Sequence, residues 1–479
     1  MHDGQPVHAL VLGGGLAGML AASVLAHHLD TVTIVDRDRF PNGPNQRKGT
    51  PHARHTHVLV AGGARALDEL LPGTTQTLLS HDAQYVGMPS RLLAFTAHGW
   101  LRRSPERQFL ISCSRALLDW VVREQVLQHE RIRLRQATEV VGLTGSAEQI
   151  TGARVRDRDT GHTHTVQADI VVDTTGQRSQ TPRWLSELGC SPVPEVLVDP
   201  DIFYASRRYR PPAGTTPDFP EINIPADPRS NAGPRGGVLV PIENGQWLVT
   251  LVGRRDCRPP TDDAGFTAFA RTLRHPIISD LIATSEPLSH PYGFRIIGNR
   301  RRRYDQMNRR PEGLLVHGDA ACTVNPVYGH GMALAALGAL AIRDHIRRHG
   351  IQRQTLPLQR TLADTADDAW AMSTAQDLRY LNTTDQRPTR GARFVRRYLD
   401  RLAKASIART AITNAQIDVY TLSAPPRRLL SPRVVLSTLR GTGRPPRATP
   451  PLTVEEQRIF TLPKDCKTFG ATPDHGSPT

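Results

Sequence analysis

The sequence predicts an α/β fold in which a parallel sheet opens the chain, a second sheet is inserted into it, and helices close it. Three stretches carry that prediction. Residues 7–36 run strand, glycine turn, helix, strand, from "VHALVLGG" through "GLAGMLAASVLAHHLD" to "TVTIVD". Between about 191 and 300 proline rises, and "GGVLVPIENGQWLVTLVGRR" reads as a hairpin turning at Asn244-Gly245. From about 346 the pattern turns helical and then rich in proline and arginine.

The elements between follow in order. A polar loop, "RFPNGPNQRKGTPHARHTH", leads to a helical pattern near "VLVAGGARALDELL" that ends at Pro72-Gly73. Ser114 stands ahead of "RALLDWVVREQVLQH", where apolar residues recur at helical spacing and the serine reads as an N-cap. Strand patterns follow in "IRLRQATEVVGLTG", "ITGARVRDRDTG" and "HTVQADIVVDTTG", a small antiparallel element that returns to the parallel sheet. The expected division is a discontinuous first domain at 1–75, 105–190 and 300–345, and a second domain at 76–104 and 191–299. Residues 346–479 form a helical region whose last dozen residues, "TFGATPDHGSPT", lack the apolar content to order themselves.

Charge and cysteines narrow the function classes. The net charge of +15 invites a polyanion partner, and it comes almost wholly from arginine, lysine occurring only at 48, 404, 464 and 467. No zinc-finger, aromatic-stacking or helix-turn-helix pattern accompanies runs such as "NRRRRYDQMNRR", so nucleic acid is not the expected partner. Cys113, Cys190, Cys257, Cys322 and Cys466 are odd in number and lack C-x-x-C spacing, which points away from a disulfide framework or a zinc site. His52, His55 and His57 share one loop without a helical H-E-x-x-H arrangement or a carboxylate partner, so no metal site is expected. A G-x-S-x-G turn is also missing, which removes that form of serine catalysis. The N-terminus enters a strand at once and no apolar run reaches membrane-spanning length; a cytoplasmic protein is expected, without membrane contact. The basic, amphipathic stretch 425–447 reads as a helix packed on its own domain, with a membrane or an acidic carrier protein as the other reading.

Gly13, Gly15 and Gly18, with Leu16 and Ala17 between them, fit G-x-G-x-x-G at the first strand-to-helix turn. The first glycine permits the turn, the second lets a pyrophosphate approach, and the third lets helix and strand touch. Asp36 ends the second strand, where a carboxylate can accept from the hydroxyls of an adenosine ribose. An adenine dinucleotide is therefore expected here.

The stretch "LLVHGDAACTVNPVYGHGM" (314–332), with that fingerprint and "ADIVVDTTGQRSQTPRWL" (168–185), resembles the single-component FAD-dependent aromatic hydroxylases and epoxidases. The resemblance covers most of residues 1–345. Within that class the sequence is similar to the squalene-epoxidase-like flavin epoxidases of bacterial polyether and terpenoid pathways, through "RKGTPHARHTHVL" (47–59), "NRRRRYDQMNRRPEGLLVHGDA" (299–320) and "NPVYGHGMALAAL" (325–337). His330 and His52 depart from it, standing where that group usually has glutamine.

The resemblance implies a Rossmann-like FAD-binding domain of the glutathione-reductase type, with an inserted β-sheet substrate domain. It implies that Asp319 holds the ribityl chain, that Gly318 admits the pyrophosphate, and that Pro326 lies against the isoalloxazine face. Gly329, Gly331 and Met332 would present backbone N–H groups to the pyrimidine edge, where charge develops on reduction. Arg115 would reach the flavin side chain, and Arg47 and Lys48 the flavin or a nicotinamide. Arg37 and Val140 complete the expected cofactor set. Asp173 and Gly176 would touch FAD and a transient NAD(P)H, while Ser179 and Arg183 read equally well as anchors of the next helix. No residue is singled out as catalytic; Pro326, His330 and His52 are the flavin-adjacent candidates.

The activity so implied is monooxygenation: one atom of O₂ inserted through a C4a-hydroperoxyflavin, into an alkene of a hydrophobic polyketide or terpenoid in bacterial secondary metabolism, including antibiotic biosynthesis. Hydroxylation of an aromatic ring is the alternative, and a flavoprotein reductase or a non-catalytic binding protein stands behind it. A halogenase is disfavoured because no W-x-W-x-I-P stretch surrounds any tryptophan. With one dinucleotide fingerprint, NADPH or NADH binds transiently beside the flavin or a separate reductase delivers electrons. A flavin reductase or an acyl carrier protein is the further partner to expect.

Overall fold

The structure, a computed structural model, describes residues 6–227, 233–295, 298–350, 355–380 and 390–461. The expected disordered tail at 468–479 lies outside the described residues, as do Lys464, Cys466 and Lys467.

The first sheet holds five parallel strands in the order Leu314–Val316, Ile170–Asp173, His8–Leu12, Thr31–Val35 and Ile132–Arg135. Both of its faces are covered, which is why its strands read as continuous apolar runs. Ala9, Val11, Val32, Ile34 and Val172 turn to one face, against helices Leu16–Ala26, Arg115–Leu127 and Gly331–His349. Leu10, Leu12, Val35, Val171 and Val316 turn to the other, against an antiparallel meander. That meander joins Thr138–Gly145, Ile150–Asp157 and Thr163–Gln167. Burying each such side chain stabilises the fold by about 1.5–3 kcal/mol. The stretch 132–145, read as one strand from its composition, is two: Ala137 sits at φ +50° and breaks it between the parallel sheet and the meander.

The second sheet runs Glu286–Pro287, Ile202–Arg210, Gln246–Arg254, Gly236–Ile242, Glu221–Ile224, Leu92–Thr96 and Gly99–Trp100, with Tyr292–Arg295 also paired to Ile202–Arg210. The hairpin turns at Asn244-Gly245, both at φ +60°, and Gln246 N–H donates to Glu243 O at 3.4 Å. One face is sealed by helices Asp263–Arg271 and Ile277–Ala283. The other carries Leu92, Ala94, Val240 and Leu248 against Val58, Leu110, Ala333 and Ile417. This second interface ties the inserted sheet to the start of the helix Gly331–His349.

The C-terminal region is helical and acts as a strap rather than an appendage. Gln359, in helix Leu356–Thr365, brackets Val316 by accepting from its N–H at 2.8 Å and donating to its carbonyl at 3.0 Å. Near the other end, Ile459 enters the core of the second sheet. The arginine run 299–310 spends its charge on structure: Arg300 and Arg302 pair with Glu195, Arg301 with Asp367, and Arg303 with Asp305. Helix Pro432–Leu439, within the basic stretch, packs Val434 against Ile412 and Leu402, while Leu436 and Leu439 remain exposed. Among the described residues no helix is long and apolar enough to cross a membrane.

Candidate active site

The first strand-to-helix turn is built by absence of side chains. Gly13 takes φ +98°, and a Cβ on Gly18 would stand 1.9 Å from the Gly13 carbonyl oxygen. A Cβ on Gly15 would meet no atom within 4 Å, so Gly15 faces open space where a ligand can lie against backbone. Met19 N–H donates to Gly15 O at 2.9 Å. The N–H groups of Leu16, Ala17 and Gly18 precede that bond and have no carbonyl of their own helix to reach, as at any helix start.

Asp36 is buried and heavily used. Its Oδ2 accepts from Gly14 N–H at 2.7 Å and its Oδ1 from Asp38 N–H at 2.8 Å. Arg47 Nη1 lies 3.4 Å from the same Oδ2, and the guanidinium also faces Asp38 and Asp119 at 3.8 and 3.9 Å. It sits 4.5 Å from the Phe40 ring centroid. Arg47 is therefore buried among three carboxylates, and its single positive charge offsets part of theirs. Arg115, capped into its helix by Ser114 Oγ, donates to Asp119 Oδ1 at 2.7 Å. Arg37 and Lys48 are exposed, and Val140 packs against the meander face of the sheet.

The late glycine loop comes to the same place. Gly318 takes φ +66°, and a Cβ there would press on Ala17 Cβ at 2.7 Å. Beside it the Asp319 side chain is open to solvent, within a recess of protein atoms dense enough to push its carboxyl up while Arg115 acts in the opposite direction. Pro326–Tyr328 form a single 3₁₀ turn that Asn325 caps, its Oδ1 accepting from Val327 N–H at 3.2 Å. Gly329 follows at φ +71° and its N–H donates to Pro326 O at 2.9 Å. That bond corrects the expected role of Gly329: its N–H closes the turn, and its freedom of φ is what the loop uses. Gly331 and Met332 differ, since the first bond of their helix runs from Leu334 N–H to His330 O. Their N–H groups stand at the positive end of a 19-residue helix.

The histidines divide. His330 is buried, its Nε2 lies 2.9 Å from Tyr420 O, and burial lowers its pKa to about 4. His55 Nδ1 meets Ser206 Oγ at 2.7 Å, and Ser206 and Thr56 both reach Thr250. His57 Nδ1 bonds His55 O at 2.8 Å. His52 lies between His57 and Phe294, at 5.8 and 6.4 Å between ring centroids; burial and then Arg115 lower its pKa to about 4. The loop 51–57 is thus wedged between the domains, with neutral imidazoles. Among the described residues no three metal-binding side chains gather to hold an ion.

In the stretch 168–185 the polar side chains bond to one another and to the next helix. Asp173, fully buried, accepts from Thr175 N–H and from the hydroxyls of Thr175, Ser179 and Thr181. Arg183 is exposed and pairs with Glu187 along its helix. Ser179 anchors the helix start by accepting from Thr181 N–H at 3.1 Å.

Three residues at this site carried no sequence signal. Asp377 accepts from Asn325, Asn299 and the Tyr328 hydroxyl, holding the late loop from behind. Tyr420 lies beside His330 at 5.6 Å between ring centroids. Glu221 is a buried carboxyl on the inserted sheet whose Oε2 has no hydrogen-bond partner. Each stands on its own segment, far in sequence from the motifs it serves.

A family model described as FAD binding domain matches residues 6–344. The chain is 29% identical over 395 residues to protein Rv3254 of Mycobacterium tuberculosis (strain ATCC 25618 / H37Rv), covering 79% of this chain and 81% of that one. Among solved structures it is similar to the flavin-dependent brominase Bmp2, at 13% identity and a TM-score of 0.64 over 91% of this chain and 98% of the other. It is also similar to PqsL, a probable FAD-dependent monooxygenase from Pseudomonas aeruginosa, at 15% identity and a TM-score of 0.56 over 87% and 100%. At these identities the two structures share the fold.

The residues present fit FAD. Open space in front of Gly15 and the bare contact between Gly318 and Ala17 leave backbone for a pyrophosphate to approach. Asp36 uses its oxygens on two N–H groups and one guanidinium, and a carboxylate has about four acceptor positions, so one remains for a ribose hydroxyl. Asp319 stands open for a polyol chain between the two helix starts.

Proposed function

Because the chain belongs to the FAD binding domain family across residues 6–344, we propose that this flavoprotein is an FAD-dependent monooxygenase that epoxidises an alkene of a hydrophobic polyketide or terpenoid. The observation that carries this reading is the start of the helix Gly331–His349: its free N–H groups and Asp319 lie beside the apolar face of the inserted sheet. Bound FAD supplies the redox chemistry that activates O₂, which no amino-acid side chain provides.

The protein's own residues bind, orient and exclude water. The first helix start and Gly15 would receive the pyrophosphate, Asp36 a ribose, and Asp319 the ribityl chain. Gly331 and Met332, at the positive end of their helix, would offer N–H groups to negative charge on a reduced flavin. Pro326 is exposed beside them on its rigid turn, and His52 closes the domain boundary. Val240, Leu92 and Leu248 are packed against Val58, Leu110 and Ala333, which fixes the inserted sheet against the start of that helix. An alkene needs no proton removed, which agrees with the weak basicity of the surrounding imidazoles, whose pKa values burial lowers to about 4.

NADPH or NADH is the electron donor in this reading, acting directly or through a separate reductase. A cytoplasmic location belongs to it as well, supported by Cys113, Cys190, Cys257 and Cys322, all free and buried. The test is turnover of the FAD-loaded protein with NADPH or NADH on a panel of alkenes and phenols under ¹⁸O₂. An epoxide bearing one labelled oxygen is expected. Flavin reduction that yields only peroxide across the panel contradicts the reading.

A further inference from the structure

Residues 401–449 carry nine lysines and arginines against one carboxylate, Asp418. Asp418 is buried and committed: Arg107 Nε and Nη2 donate to it at 2.8 Å each, and Arg428 stands 3.6 Å away. In the run 299–310 this fold spends arginine on carboxylates; here three guanidiniums meet carbonyl oxygens instead. Arg401 donates to Leu439 O at 2.9 Å, Arg409 to Gly441 O at 2.9 Å and Arg102 to Pro445 O at 3.1 Å. Such bonds satisfy the donors and leave the charge without a counter-charge.

Arg433, Leu436, Ser437 and Arg440 recur at helical spacing, so they share one face at the helix Pro432–Leu439, while Val434 and Thr438 turn inward. Across from that face Arg409 and Thr410 lead into the helix Thr410–Tyr420, and an open cleft of about 400 Å³ lies between them. No carboxylate lines it. Among the described residues neither Arg433 nor Arg440 has an ion-pair partner. The basic surface continues at Arg102, whose pKa is lowered by burial and then by the charges of Arg447 and Arg444. Like charges gathered in this way repel one another, and an anion relieves them. Beside them Leu430, Leu436 and Leu439 are 64%, 54% and 56% exposed, which makes the surface apolar and basic at once.

We propose that this face docks on an anionic lipid surface, with a headgroup phosphate in the cleft among Arg409, Arg433 and Arg440 and the three leucines at the boundary with the acyl chains. A guanidinium offers two parallel N–H groups to a phosphate, and the hydroxyls of Thr410 and Ser437 add donors on the same cleft. An acidic protein would meet the arginines and give the leucines no hydrocarbon, whereas a phospholipid supplies both in one molecule. The docking is peripheral and does not depend on the monooxygenase reading. The helix Thr410–Tyr420 separates the cleft from Tyr420, beside His330, by about 15 Å along its axis, so the docked face is distinct from the candidate site.

The test is co-sedimentation of the full-length, FAD-loaded protein with vesicles of phosphatidylcholine alone or mixed with phosphatidylglycerol, at low and high salt. Wild type partitions about tenfold or more in favour of the mixed vesicles, and added salt releases it. Arg433→Gln and Arg440→Gln each weaken that partitioning about fivefold. Arg154→Gln combined with Arg156→Gln removes two exposed charges from the meander and leaves partitioning within about twofold. Leu436→Ser combined with Leu439→Ser weakens it about tenfold while the salt dependence persists. All six side chains are exposed, so the variants melt close to the wild type.

Wild type that ignores both kinds of vesicle overturns the proposal and leaves an acidic protein as the occupant of this face. Calorimetry with glycerol 3-phosphate separates the lipid from a soluble phosphate ester: binding of that ester without binding of vesicles also overturns it. So does partitioning that falls equally with the meander variant, since the attraction then belongs to the net charge of +15. Partitioning unmoved by salt overturns it as well, and that readout needs no variant to fold.

Discussion

The Tyr328 hydroxyl donates to Asp377 Oδ1 at 2.7 Å, joining the glycine loop of the candidate site to a helix that begins 39 residues further on at Asp367. Asp377 is fully buried and its other oxygen accepts from Asn325 Nδ2 at 2.9 Å and Asn299 Nδ2 at 2.6 Å. Asn325 in turn accepts from the Tyr204 hydroxyl on the inserted sheet. One carboxylate therefore sets the position of the loop that carries Pro326 and Gly329, and ties it to both domains.

Asp377→Ala strands three donors in a buried space. The expected loss is about 3 kcal/mol of unfolding free energy, measured by urea denaturation, with FAD affinity reduced at least tenfold. Unchanged affinity would mean that the loop holds its form without the carboxylate.

Gly15 and Gly18 are separated by two residues and respond differently to the same methyl group. Gly15→Ala meets open space and leaves unfolding free energy within about 0.5 kcal/mol, yet weakens FAD binding because the methyl occupies the pyrophosphate's approach. Gly18→Ala drives a Cβ to 1.9 Å from Gly13 O and destabilises the apoprotein itself by about 2 kcal/mol or more. Denaturation of apoprotein beside FAD titration separates the two effects.

Glu221 makes stability depend on pH. Its folded pKa of about 7 lies above the ordinary 4.5, so the folded state holds a proton that the unfolded state has released. Its contribution is most favourable below pH 4.5 and is lost as pH rises toward 7, by about 3 kcal/mol in total. Comparing wild type with Glu221→Gln across that window should show the difference, flat above pH 7.

His55 acts with the opposite sign. Burial, and then Arg54, lower its pKa to about 4 from an ordinary 6.5, so its stability contribution is complete above 6.5 and is lost as pH falls toward 4. His55→Gln should flatten the acid side of the stability profile by about 3 kcal/mol, provided glutamine keeps the bond to Ser206. A profile that keeps its acid slope places the titrating group elsewhere.

Much of the parallel-sheet domain was legible because its constraints are local. A strand buried on both faces must be apolar throughout, and a turn at φ +98° must be glycine, so residues 8–35 announce their structure. The hairpin at Asn244-Gly245 and the Ser114 cap were legible for the same reason. The electrostatics were not. Arg47 reads as a free cation until the fold brings Asp36, Asp38 and Asp119 around it. Glu221 alternates with Ile222 as a solvent-facing residue would, and only the second interface reveals that its face is covered. Asp377 sits in a helix rich in acidic and small residues, where nothing marks it as the partner of a loop 50 residues earlier.

The most direct measurement is the visible spectrum of the purified protein after incubation with FAD and gel filtration, recorded for wild type and Gly15→Ala and then, anaerobically, after NADPH and NADH. Wild type should retain a flavin band that bleaches with one of the nicotinamides or with an added flavin reductase, while Gly15→Ala loses the band and keeps its fold. A wild-type protein that emerges colourless contradicts the central claim.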